Sequence, residues 1–240
     1  MIGVRGVRRV AAAAKRVPPP CCLASAATPS RGVIIPDVIL AYHVIFGAYG
    51  FWLPNDPRGS GSEIVWAEHL KAFGPATKVN TRRSVAGQSH NRPARLEAKH
   101  HLLYPPVRFT GLQARAVARG ICDVSATLEL AIHACCVMPD HVHLVISRHR
   151  ETVEGITGFL KRSATRRPTD EDLHPLSDFR SSRGRTPSPW VRGGWYVYLD
   201  TPERVIRAIE YVNGNPVKAG MKPQKWSFIQ PYNAPRGRGG

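Results

Sequence analysis

A hairpin set between two amphipathic helices governs the middle of this chain. Ala131 to Met138 reads as one strand, Pro139-Asp140 as a turn, and Val142 to Ser147 as the antiparallel return strand. Upstream, between Thr110 and Glu129, the apolar positions Leu112, Ala116, Val117, Ile121, Val124 and Leu128 recur at threes and fours, the period of a helix with one buried side. Downstream, Thr152 to Arg166 repeats that period with Val153, Ile156, Phe159 and Leu160. A hairpin alone is marginal in water, so it needs further strands beside it and helices over it.

Both are supplied elsewhere. From Val38, VILAYHVIFGAYGF is dense in β-branched and aromatic residues and predicts a buried strand, ended by the turn residues of Leu53 to Gly59. After a loop-like stretch from Arg167 to Pro189, Trp190 to Leu199 predicts another strand, interrupted at Gly193-Gly194. Thr201 is placed to cap a helix with Pro202 in its first turn, running through Val205, Ile206, Ile209, Tyr211 and Val212 and stopping around Asn215-Pro216. The order is strand, helix, two hairpin strands, helix, strand, helix. That order predicts an α+β fold, a ferredoxin-like or RRM-like antiparallel sheet with helices packed on it.

Charge adds a second constraint. Lysine and arginine number 34 against 17 aspartates and glutamates, an excess that attracts polyanions such as nucleic acid. Residues 1–36 are rich in arginine and alanine and read as a basic disordered tail, an organelle-addressing arm, or sequence upstream of the true start. Residues 37–233 form the expected domain, and 234–240 a second short tail. Within the domain, residues 60–106 show little periodicity and read as an inserted loop. Its stretch from Lys78 to Lys99 is strongly basic and is either a solvated loop or a binding loop. No stretch approaches 18 uninterrupted apolar residues, so no membrane span is expected. Five cysteines without a CxxC fit neither a disulfide framework nor a zinc ribbon, and a reduced intracellular setting is the simplest reading.

Two constellations carry candidate chemistry. On a strand, His141 and His143 project to one side while Val142 and Leu144 project to the other, so both imidazoles are able to share one divalent metal. Taken alone, the pair also fits ordinary surface histidines. On the last helix, Tyr211 and Asn215 are one turn apart and share a face. Taken alone, these fit a core tyrosine and a helix-ending asparagine. Cys135 and Cys136 raise zinc as another metal, but alternation puts Cys135 on the face of His133, before the Pro139 turn, and no four-ligand pattern is present.

The combination of Met138-Pro139-Asp140-His141-Val142-His143-Leu144-Val145-Ile146 with Tyr211-Val212-Asn213-Gly214-Asn215-Pro216-Val217-Lys218-Ala219-Gly220-Met221 resembles the single-tyrosine HUH transposases, in particular the REP-associated tyrosine transposase group. AYHVIFGAYGFWLPNDPRGS also resembles the first strand and loop of bacterial members, and the resemblance covers residues 38–233. It implies that the HUH motif lies on a central strand, that Tyr211 is the nucleophile, and that His141, His143 and Asn215 are metal ligands. It further implies a DNA strand transferase acting on single-stranded or hairpin-associated DNA through a 5′-phosphotyrosine, in a bacterial, nucleoid-associated cytoplasm. Mg²⁺ or Mn²⁺ suits such a ligand set, with imidazole tilting the choice toward Mn²⁺. Lys161, Arg162, Arg166 and Lys218 are candidate DNA contacts, and Trp190, Trp195 and Trp226 candidate base platforms. Gly193 to Val197 departs from the bulky aromatics and the acidic or histidine residue that members carry there. Tyr196 and Tyr198 are the competing tyrosines, without the surrounding motif. A non-catalytic nucleic-acid binder and a hydrolytic nuclease are the rival functions, and monomer and homodimer both stay open.

Overall fold

The computed structural model describes residues 38–56, 64–77 and 91–234. The chain divides after Pro36, and the described residues all belong to the second unit, Asp37–Gly240. The expected tail at 1–36, all but the first residue of the expected tail at 234–240, and residues 78–90 of the basic stretch lie outside the described residues.

Eight principal elements follow one another: β1 (Ala41–Gly47), α1 (Arg92–His100), α2 (Gly111–Leu128), β2 (Ile132–Val137), β3 (His141–Ser147), α3 (Val153–Asp170), β4 (Trp195–Leu199) and α4 (Pro202–Lys218). A 3-10 helix over Glu68–Phe73 precedes α1. The strands form one antiparallel sheet in the order β2-β3-β1-β4. With α2 joining β1 to β2 and α3 joining β3 to β4, this is the ferredoxin-like arrangement expected from the sequence, and the histidine strand β3 is an inner one.

Alternation along the strands divides the molecule into two cores. Val44, Phe46, Val142, Leu144 and Ile146 face α2 and α3, where they meet Val117, Ile121, Ile156 and Leu160, all fully buried. The opposite residues, Ala41, Ala134, Cys136, Val145 and Leu199, pack against Val205, Ala208 and Val212 of α4. Each large apolar side chain withdrawn from water contributes about 1.5–3 kcal/mol, so both faces of the sheet are held by burial. Here α4 is an addition that covers only part of its face and leaves the His141 end of β3 less deeply covered: the side chain of His141 is 19% exposed.

Capping explains the helix starts. Thr110 accepts from Gln113 N while the Gln113 side chain accepts from Thr110 N, a reciprocal capping box. Thr152 and Thr201 cap α3 and α4 in the simpler way. Helix α1, inside the segment expected to be a loop, begins at Asn91, whose side chain accepts from Ala94 N, with a proline in its first turn.

Four further expectations need correction. Leu112, Phe159 and Ile206 are 63%, 38% and 45% exposed. Phe159 and Ile206 stand about 100° around their helices from the buried Leu160 and Val205, at the margin of the stripe, and Leu112 lies in a first turn with little to cover it. Helices α3 and α4 do not end at their prolines; each runs two residues beyond, through Pro168 and Pro216. In a last turn a proline forfeits a single hydrogen bond, which packing outweighs. The strand from Trp190 is shorter than expected: Trp190 makes an isolated bridge to Ala48, and β4 starts at Trp195. Finally, a bulge between Ile132 and Ala134 breaks the alternation in β2. Cys135 enters the α2/α3 core, whereas His133 bonds Ser147 and Gln230 and packs edge-on against Tyr232.

The outer edge of β2 is sealed by the segment after α4. Gln224 both accepts from Val137 N and donates to Val137 O, Trp226 Nε1 donates to Cys135 O, and Gln230 N donates to Ile132 O.

Candidate active site

On the α4 face of β3 the rings of His141 and His143 sit 4.7 Å apart, centroid to centroid. Each has its Nδ1 occupied. His141 Nδ1 lies 2.6 Å from Oδ1 of Asp140, and the Phe51 ring packs against its ring at 4.7 Å, tilted by 30°. His143 Nδ1 lies 3.0 Å from Nε2 of His43, on the neighbouring strand β1. The Nε2 atoms of both rings are therefore the ones left to meet a ligand, and the Nδ1 partners fix how each ring is turned.

His43 was not anticipated from the sequence. Its ring stacks on His143 at 5.2 Å and is 8% exposed. Burial pushes its pKa down to about 4. Burial likewise holds His143 well below the usual imidazole value, with His141 and His43 adding to the effect. At neutral pH both rings are neutral, so their lone pairs need no proton removed before coordination. A polar side chain in the middle of AYHVIFG, on the same parity as the inward Ala41, was the available signal.

Helix α4 brings Tyr211 over this cluster. Its ring lies 5.8 Å from the rings of both His43 and His143, and it is 47% exposed. The ammonium of Lys218 stands 5.4 Å above the same ring. One turn on from the tyrosine, the Asn215 side chain bonds the thiol of Cys136, which is paired across the sheet with His143. Burial raises that thiol to about 12, with the His143 backbone and Asn215 opposing, so it stays protonated. Among the described residues no group of three or more His, Cys, Asp and Glu side chains is placed to hold a metal. The imidazoles side by side here are those of His141 and His143, while the Asn215 side chain is engaged by the Cys136 thiol.

The competing tyrosines face away. Tyr196 bonds Thr157 of α3 and Tyr198 meets Tyr42 edge-on at 5.4 Å, both on the α2/α3 side. Three of the four candidate DNA contacts belong to α3 as well. Lys161 donates to Val191 O at 2.8 Å and to Gly193 O, and burial lowers its pKa to about 8, so it ties a loop. Arg162 covers the Phe159 ring at 4.5 Å, and Arg166 lies 3.5 Å from Asp123. Only Lys218 of the four stands beside Tyr211. Trp190 is buried, its Nε1 donating to Thr165, and Trp226 seals the β2 edge, so neither is an open base platform.

No family model and no curated protein matches the chain. Among solved structures it is similar to a REP-associated tyrosine transposase bound to a REP hairpin, at 13% identity and TM-score 0.42 over 84% of this chain and 81% of that one. It is also similar to a candidate transposase from Deinococcus radiodurans, at 13% identity and TM-score 0.32 over 78% of this chain and 95% of that one. Both neighbours are described as transposases. No helix among the described residues is long and apolar enough to cross a membrane.

Proposed function

We propose that the chain is a DNA strand transferase in which Tyr211 attacks a phosphodiester of single-stranded or hairpin-associated DNA. The observation that carries this reading is the half-exposed Tyr211 ring set 5.8 Å from His143, beside two histidines whose Nδ1 atoms are both held. A phenol is a weak nucleophile at neutral pH, so the site must favour charge as it leaves the oxygen. Lys218, with its ammonium over the ring, supplies one positive charge from the chain itself. The phenolic oxygen forms a bond to phosphorus, the bond from phosphorus to the 3′ oxygen breaks, the phenolic proton departs, and the 3′ oxygen gains a proton. One phosphodiester replaces another, so a new 3′ end is able to reverse the step without a nucleoside triphosphate.

His141 and His143 fit a divalent ion, since both are donors through Nε2 and His143 is held neutral, and the Asn215 amide, one turn beyond Tyr211 on α4, would complete the set. Mg²⁺ or Mn²⁺ held there would offset charge on the phosphate and the leaving oxygen. A single strand flanked by a hairpin is the substrate on which this reading is tested. Incubated with such DNA and Mn²⁺, the full chain should form an adduct that survives denaturation, and Tyr211→Phe should form none while still binding DNA. Cleavage without an adduct would replace this reading with hydrolysis, and binding without cleavage would replace it with a nucleic-acid binder.

A further inference from the structure

A cavity of about 200 Å³ opens beside His141, between α1, the loop after β1 and the stretch before α2. Two of its lining residues, Phe51 and Asp140, are the very groups that pack against and bond to His141. The cavity is thus continuous with the groups that orient the candidate active site. Its wall depends on Gly50, at φ +81°, where a Cβ would come within 2.9 Å of Pro106. Leu53, Leu96 and Pro106 give it an apolar lining.

The charges around it are unequal. Three cationic side chains, Arg95, Lys99 and Arg108, line it together with two carboxylates, Asp56 and Asp140. The approaches of Arg95 to Asp56 and of Arg108 to Asp140 are 3.9 and 3.8 Å, too long for direct hydrogen bonds. Guanidinium donors of Arg95 and Arg108 therefore remain for an incoming anion such as a phosphodiester. The volume lies below the roughly 300–1,000 Å³ of drug-sized ligand sites, which limits the apolar part to about one base.

From this we infer that the cavity binds one nucleotide of a single-stranded DNA substrate next to the bond that is cut, its base against Leu53, Leu96 and Pro106 and its phosphate at Lys99 and Arg108. The inference rests on the strand-transfer reading for its substrate, but it is tested by binding alone. Fluorescence anisotropy of the full chain is measured with oligo-dT and with an abasic strand of the same length. Stacking and burial of one base should make the wild type bind oligo-dT on the order of tenfold more tightly. Leu96→Trp, at a half-exposed helix position, fills the cavity and should bring oligo-dT down to the affinity of the abasic strand. Lys99→Ala combined with Arg108→Ala should weaken both strands alike and lower the log–log salt slope by about 0.7 for each lost phosphate contact. An oligo-dT to abasic ratio that is unchanged in Leu96→Trp, or equal to one in the wild type, overturns the inference. A wild type that shows the ratio but never forms the Tyr211 adduct retains the base site and loses the strand-transfer reading; an adduct with an unchanged ratio does the opposite.

Discussion

Replacing His43 by glutamine isolates the energetic consequence of burying an imidazole under the candidate active site. The amide introduced by His43→Gln would keep a polar group beside Nδ1 of His143 but would not titrate. In the folded chain His43 has its pKa pushed by burial from 6.5 to about 4. Above pH 6.5 the ring is neutral whether the chain is folded or not, and His43 has no effect on the pH dependence. As pH falls from about 6.5 to about 4, the unfolded chain takes up a proton that the folded chain refuses, so stability is lost throughout that window and the loss levels off below it. At about 1.4 kcal/mol per pKa unit, the displacement amounts to about 3 kcal/mol. That is a large share of the 5–15 kcal/mol typical of a domain. Urea unfolding in the presence of a chelator, repeated between about pH 7 and about pH 4, should therefore show the wild type losing about 3 kcal/mol more than His43→Gln. His143 is shifted in the same direction chiefly by burial, which the substitution leaves in place; the smaller part that His43 contributes is lost with His43 and adds to the difference in the same sense. Curves that run parallel would show that His43 is not held neutral by the fold, and the account of a neutral histidine pair would fall with it.

Substituting His141 and His143 together by alanine should abolish Mn²⁺ binding followed by electron paramagnetic resonance while circular dichroism stays unchanged; retained binding would move the metal elsewhere. Gly120→Ala drives a Cβ into the backbone carbonyl of Ser163 where α2 crosses α3, and should cost about 1–3 kcal/mol in urea unfolding. Trp190→Ala removes a buried ring that meets Phe46 at 5.0 Å and donates to Thr165, and should cost about 3–5 kcal/mol; a loss below about 1 kcal/mol would mean that the ring is not part of the core.

The sheet and its two covering helices were legible because each carries a strong period. Strands β1 and β3 alternate or run continuously apolar, and α2 and α3 repeat at threes and fours with a threonine cap in front. Helix α1 was not legible: its buried side is the single residue Ala98, too little to form a stripe, and only Asn91 with Pro93 marks its start. Pro168 and Pro216 misled in the other direction, since local sequence shows the lost hydrogen bond but not the packing that carries the helix past it. In the site, His141, His143, Tyr211 and Asn215 could be grouped by spacing within one element and by resemblance between elements. His43 could not, because its partner lies a hundred residues away and only the β1–β3 register brings the two rings together. The candidate DNA contacts on α3 lie across the sheet from Tyr211 for a related reason: a basic residue on a helix says nothing about which face of the sheet that helix will cover.

The clasp of Gln224, Trp226 and Gln230 along β2 bears on how this chain tolerates shortening. A truncation just after α4 would keep every strand and every residue of the candidate site, yet it would strip the rim of β2 and bare the amide of Val137 and the carbonyls of Ile132, Cys135 and Val137. A row of unpaired backbone groups on an apolar strand is a template on which other chains add edge to edge. The shortened protein should accordingly be lost to insoluble assemblies rather than to unfolding, which makes the last described residues, without any chemistry of their own, the guard of the sheet's solubility.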